Sequence, residues 1–219
     1  MRIIISFKSL SNFPYDEIGK YTIQGLIYGF LVNTRFSKYH TTKGFKFFNF
    51  SNIFPVKDFD ENHNKTLIIS SPNTKFIKTI YHSLKANDEF YLGKRKMIIK
   101  DIKMFDSNFN NKFISSTPIV LYQNNQSNLY YSFEKNPDFN FFFERLKENS
   151  IKKYNAFYNE ELSIEGAIFD SFEFSREVSV RLRKNTKDFV IIGSIWKNLE
   201  KNDLKNYKKF YKFLLDFGL

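Results

Sequence analysis

The chain opens on an apolar run, Ile3-Ile4-Ile5 with Phe7, between Arg2 and Lys8, which predicts a buried strand; Ser9-Leu10-Ser11-Asn12 and Pro14 end it. From Tyr15 to Val32 the period lengthens. Ile18, Tyr21, Gly25, Tyr28 and Val32 recur at spacings of three and four, the signature of one helical face, with Asp16 and Glu17 at its N-terminal end where a helix dipole favours acids. Phe36, Tyr39 and His40 continue the spacing in a short second helix that Gly44 is placed to end. Phe45 to Ile53 alternates aromatic and polar residues and predicts a strand, as does Thr66 to Ser70. Asn73 then caps a helix whose apolar stripe is Phe76, Ile77, Ile80 and Leu84, and Glu89 to Leu92 with Lys96 to Phe105, joined through Gly93, predict a strand or hairpin that closes the first half.

The second half repeats the rhythm. Strands are expected over Pro118 to Tyr122 and Leu129 to Phe133, a helix over Pro137 to Tyr154, long strands over Ile164 to Arg183 and Asp188 to Trp196, and a last helix over Asp203 to Phe217. The order βαββαβ, met twice, predicts an α+β protein of two tandem ferredoxin-like (RRM-like) domains, residues 1–110 and 116–219. The second copy ends at Gly218-Leu219, so it is expected to lack its final strand.

Composition narrows the function classes. No Cys is present and the three His (40, 63 and 82) are scattered, so no metal site and no cofactor are expected. No stretch approaches the roughly 18 apolar residues of a membrane span, which makes the cytoplasm the expected location. A net charge of +11 with 19% aromatic residues suits a polyanion that also offers bases to stack on, which is nucleic acid. The same Lys-, Asn- and Phe-rich composition also arises from an AT-rich genome, so charge alone does not decide.

Candidate chemistry gathers in the first domain. Tyr28 lies on the long helix, His40 follows beyond the Asn33-Thr34 break, and Lys46 opens the next strand, so a helical hairpin could bring phenol, imidazole and ammonium to one end of the fold. These groups suffice to cut RNA without a metal: one takes the 2'-hydroxyl proton, one protonates the leaving oxygen, and a cation offsets the extra phosphate charge. Against this stand an ordinary surface histidine, a core tyrosine and a solvated lysine. Lys43-Gly44-Phe45-Lys46-Phe47-Phe48-Asn49-Phe50 also approaches the base-stacking signature of RNA-recognition motifs, although it sits on the second strand rather than the third. In the second domain Arg176, Arg181, Arg183, Lys184 and Lys187 bracket a turn between two long strands, a basic hairpin suited to an RNA groove or to protecting a sheet edge. Lys147, Lys152 and Lys153 read as a solvated helix face.

Taken in order, Gln24-Gly25-Leu26-Ile27-Tyr28, His40 through Lys46, Phe48-Asn49-Phe50-Ser51 and Ser116-Thr117-Pro118-Ile119 resemble the CRISPR repeat-processing endoribonucleases of the RAMP superfamily. The resemblance implies an enzyme that cleaves CRISPR repeat RNA without a metal, leaving 2',3'-cyclic phosphate and 5'-hydroxyl ends. It implies Tyr28 as general base, His40 as general acid and Lys46 as stabiliser of the phosphorane, with the basic hairpin gripping the repeat. The order of the two proton transfers stays open, because an unperturbed phenol is a poor base at neutral pH. Family members carry a C-terminal glycine-rich loop and closing strand, for which this sequence offers only Asp216-Phe217-Gly218-Leu219, so a shortened form or an incomplete RNA surface is expected. A non-cleaving repeat-binding protein and a general single-strand RNA binder using Phe48 and Phe50 are the alternatives. The aromatic surface permits a homodimer, and the resemblance permits membership of a CRISPR effector complex.

Overall fold

The computed structural model describes residues 1–106, 108, 110–115, 117–124, 129–184 and 187–218, at positions 124, 183, 184, 187 and 188 through the backbone alone. The chain divides into two compact units, Met1–Ser107 and Asn108–Leu219. Among the described residues no helix is long and apolar enough to cross a membrane.

The first unit is a five-stranded antiparallel sheet with two helices on one face. Its elements are β1 (Arg2–Ser9), α1 (Lys20–Gly29), β2 (Asn49–Phe50), β3 (Lys65–Ser70), α2 (Thr74–Lys85), β4 (Glu89–Leu92) and β5 (Arg95–Phe105), and the strand order is β2-β3-β1-β5-β4. This is the ferredoxin-like plan with the β4–β5 hairpin adding an edge strand. Every second residue of β1, namely Ile3, Ile5, Phe7 and Ser9, is buried. The register sets Ile3 opposite Ile69 and Ile5 opposite Leu67, so the inward faces of β1 and β3 form one apolar surface under both helices. The expected α2 stripe of Phe76, Ile77, Ile80 and Leu84 is buried, and the Asn73 side chain accepts hydrogen bonds from the amides of Lys75 and Phe76.

Three expectations need correction here. The helix begins at Lys20 rather than Tyr15: Ile18 is extended and Gly19 is the N-cap, so Asp16 and Glu17 lie in a separate 3-10 turn, with Glu17 bridged to Arg95. The buried stripe of α1 is Ile23, Leu26 and Ile27, whereas Tyr21 and Val32 are exposed. Two stripes at helical spacing compete on this segment, and the compact aliphatic one covers the sheet. Within Phe45 to Ile53 only Asn49 and Phe50 join the ladder, because Phe47 adopts a left-handed backbone (φ 43°) that no regular strand tolerates.

The second unit contains β6 (Lys112–Phe113), β7 (Tyr122–Asn124), β8 (Leu129–Tyr130), α3 (Phe139–Tyr158), β9 (Ser171–Lys184), β10 (Lys187–Glu200) and α4 (Lys208–Phe217). Its main sheet has the order β6-β10-β9, which is strands 1-3-2 of a ferredoxin-like unit, and among the described residues no strand follows α4. β9 starts at Ser171 rather than Ile164, since Gly166 takes a positive φ of 68° and the intervening chain is held as a loop by Lys201 on Asp170 and the Ala167 carbonyl. Trp196, 1% exposed, centres this core, with Phe142 and Phe143 of α3 at ring distances of 5.3 and 5.0 Å.

Candidate active site

The site is assembled within the first unit. Tyr28 occupies the last turn of α1, after which the chain turns back through Asn33, itself at positive φ (60°), into a 3-10 turn at Ser37–His40. That return brings the imidazole of His40 edge-on to the phenol of Tyr28, with ring centroids 5.2 Å apart and planes at 89°. Tyr28 is half-buried and His40 exposed, so the pair presents one sheltered and one open ring at the surface. Burial pushes the Tyr28 phenol above its ordinary pKa, and the amide of Gln24, one helical turn earlier and donating to the hydroxyl at 3.4 Å, partly opposes this.

A 3-10 turn of four residues cannot hold a side chain in place by its own hydrogen bonds. Here it is clamped by rings. Phe76, fully buried on α2, meets Phe36 at 5.4 Å, Tyr39 at 5.7 Å and Phe48 at 5.2 Å, and Phe48 in turn reaches Tyr28 at 5.9 Å. The residues on both sides of the Tyr28–His40 contact therefore rest on one side chain of α2. Tyr39 also shares a hydrogen bond with Asn73, the residue that caps α2.

Lys46 lies on the loop after His40. Its ammonium donates to the carbonyl of Thr42, and Thr42 is bound through its amide (2.9 Å) and hydroxyl (2.7 Å) to the Lys38 carbonyl. The lysine is thus folded back to within two residues of His40, through a reversal at Gly44 whose φ of 104° suits glycine alone. Ser71 donates to the Phe47 carbonyl at 2.6 Å and fixes the far end of the loop. Phe48 and Phe50 pack against the core rather than offering open faces for stacked bases, while Phe45 is 40% exposed.

On the ribbon of the second unit, Arg176 and Arg181 are exposed on β9, opposite Ile195 and Val190. Five positions apart with no bulge between them, they point to opposite faces. Arg183 pairs with Asp188, and Lys184 with Lys187, in the backbone ladder; the side chains of Arg183, Lys184 and Lys187 lie outside the described residues, as does the turn at 185–186. The expected solvated face on α3 is corrected: Lys147 pairs with Glu144 and donates to the Gly166 carbonyl, and Lys153 lies over the Phe217 ring, leaving only Lys152 exposed. Among the described residues no group of three or more His, Cys, Asp or Glu could hold a metal ion.

Residues 99–219 match the family model described as CRISPR associated protein Cas6, C-terminal. Along its whole length the chain is 41% identical to the CRISPR-associated endoribonuclease Cas6 2 of Methanocaldococcus jannaschii, covering 94% of that protein. The chain belongs to the Cas6 family. Solved structures agree in fold: one of a CRISPR associated protein Cas6 superimposes with a TM-score of 0.68 at 23% identity, covering all of this chain and 92% of that one. Another, of a RAMP protein binding different RNA substrates, gives 0.69 at 18% identity over all of this chain and 93% of that one. For this Cas6-family chain, Gln24 and Phe76 are the site neighbours that sequence reasoning gave no role. Gln24 is legible as the i−4 neighbour of Tyr28 on a helix. Phe76 carried no such local signal, since its partners lie 28 to 40 positions away.

Proposed function

We propose that this Cas6-family chain is an endoribonuclease that cleaves CRISPR repeat RNA without a metal, by attack of a 2'-hydroxyl on the adjacent phosphate. The observation that carries this reading is the Tyr28–His40 contact: two proton-transfer groups, one sheltered and one open, share a surface position where a phosphate can sit against both. Family membership, the endoribonuclease name of the relative and the net charge of +11 support the same substrate class.

In the reaction the 2'-oxygen bonds to phosphorus as the 5'-oxygen leaves, giving a 2',3'-cyclic phosphate and a 5'-hydroxyl. Tyr28 takes the 2'-hydroxyl proton and His40 protonates the departing oxygen. Burial works against the phenol as a resting base, so only its small phenolate fraction serves. Lys46 is assigned the charge gathering on the phosphorane. Arg181 and Arg183 of the ribbon hold the repeat outside the reacting phosphate.

Incubating wild type and a His40→Ala variant with the host's repeat RNA in EDTA tests the proposal. A single cut ending in a cyclic phosphate, lost in the variant, is expected. Tight binding without cutting by wild type would overturn it in favour of a binding-only protein, and cleavage restored only by added divalent metal would overturn the metal-free mechanism.

A further inference from the structure

The Tyr28–His40 pair is one end of a longer ledge. Lys20, Gln24 and Tyr28 stand four apart along one side of α1, and Asn52, Phe50 and Phe48 alternate along the segment facing it in the opposite direction. Tyr28 meets Phe48 at 5.9 Å at the catalytic end, while at the other end Lys20 donates to Asn52 Oδ1 at 2.6 Å and lies 5.5 Å from the centre of the Phe50 ring. The two edges match in length: eight helical residues rise about 12 Å and four extended residues about 13 Å. Beside the row, Gly25 is open, with no atom within 4 Å of where a Cβ would stand.

Lys20 is a half-buried cation without a counter-charge among the described residues. Among them no carboxylate pairs with it, and Glu17, three positions before it, is engaged on Arg95. Burial lowers its pKa with no opposing charge contribution. Taking an ammonium partly out of water with only an amide oxygen and a ring as company is unfavourable, and it strengthens attraction for any anion that arrives. Lys65 shows the contrast. It is 1% exposed, with two of its three donors on the Pro55 and Lys57 carbonyls and its head against Phe59, so it ties a loop together and is closed to a ligand by burial. An ammonium has three donors, and Asn52 takes one of those on Lys20.

We propose that Lys20, oriented by Asn52, binds a backbone phosphate of the RNA strand lying along this ledge, about 12 Å from the phosphate being cut. The assignment rests on the endoribonuclease reading and extends it to a second, substrate-positioning contact on the catalytic unit. Its job is to fix which phosphate reaches Tyr28 and His40, without taking part in proton transfer.

The test compares wild type with Lys20→Gln and the charge-keeping Lys20→Arg, after each is shown by circular dichroism to fold. Repeat-RNA binding is measured in a His40→Ala background between 50 and 200 mM salt, and cleavage in the parent background. One lost phosphate contact on a single strand lowers the log–log salt slope by about 0.7, so over that fourfold salt range Lys20→Gln should lose about 2.6-fold less affinity than the parent, with Lys20→Arg matching the parent. Repeat RNAs carrying one neutral methylphosphonate at successive positions should equalise parent and Lys20→Gln at a single position a short way from the cut, an outcome that a purely structural lysine cannot produce. An unchanged slope with no such position, while wild type still cleaves, overturns the Lys20 contact and leaves the nuclease reading standing. Failure of wild type to cleave overturns the nuclease reading and the subsite with it.

Discussion

Replacing Phe76 by Leu isolates what the ring platform contributes to the site. The substitution keeps a branched apolar side chain at a position with no exposure, so the transfer loss is about 1 kcal/mol or less. What it removes are the ring contacts to Phe36, Tyr39 and Phe48, at 5.4, 5.7 and 5.2 Å. At roughly 0.5–1.5 kcal/mol for each pair, and with Leu regaining part of the dispersion, the expected destabilisation is about 2–3 kcal/mol. His40 is joined directly to Tyr39, so loosening that contact also displaces the imidazole, and a misplacement of about 1 Å costs on the order of 100-fold in rate. Urea unfolding gives the first quantity, and single-turnover cleavage at a temperature where both proteins are folded gives the second. Ile80→Val, at an equally buried position on the same helix face, is the control: it should cost about 1 kcal/mol and leave the rate unchanged. A Phe76→Leu protein that loses the expected stability yet cleaves within about twofold of wild type would refute the idea that Phe76 positions His40.

Two further outcomes follow from the geometry. Tyr28→Phe should slow cleavage by roughly 100- to 10,000-fold, and because burial raises the phenol's pKa, ionisation of Tyr28 should cause no fall in wild-type rate below about pH 10; a descending limb centred below pH 9 that disappears in Tyr28→Phe would contradict this. Because Arg176 and Arg181 face opposite sides of the ribbon, a single RNA strand lying on one side should make only one of the two alanine variants lower the salt slope, by about 0.7, and equal slopes for both would argue against one-sided binding.

Elements whose cause is local were legible from residues alone. For α2, cap and stripe fall within twelve positions, from Asn73 to Leu84, and both are observed. For Glu89 to Phe105 the sequence left a strand or a hairpin open, and Gly93 at a φ of 63° makes the turn of a hairpin. The misreadings occur where distant residues decide. Phe45 to Ile53 alternates as a strand should, but the Phe47 carbonyl is taken by Ser71 and most of the segment becomes a loop carrying Lys46. On α1 the spacing supports two faces, and the sheet beneath selects Ile23, Leu26 and Ile27, which turns Tyr21 outward and leaves Tyr28 at the margin.

That marginal position explains why the site could be nominated from sequence but not assembled from it. A phenol that is half-buried is fixed in place, still reaches solvent, and has its pKa raised, whereas one on the centre of the stripe would have been core and one opposite would have been free to swing. The same holds for His40, whose exposed imidazole hangs from a turn that Phe36 and Tyr39 nail to α2. Twelve positions separate Tyr28 from His40, but the contact between them depends on Phe76, another 36 positions along. A pattern of residue types records that a phenol and an imidazole are present; their meeting rests on the buried ring against which their neighbours pack, which in the sequence looks like any other member of an apolar stripe.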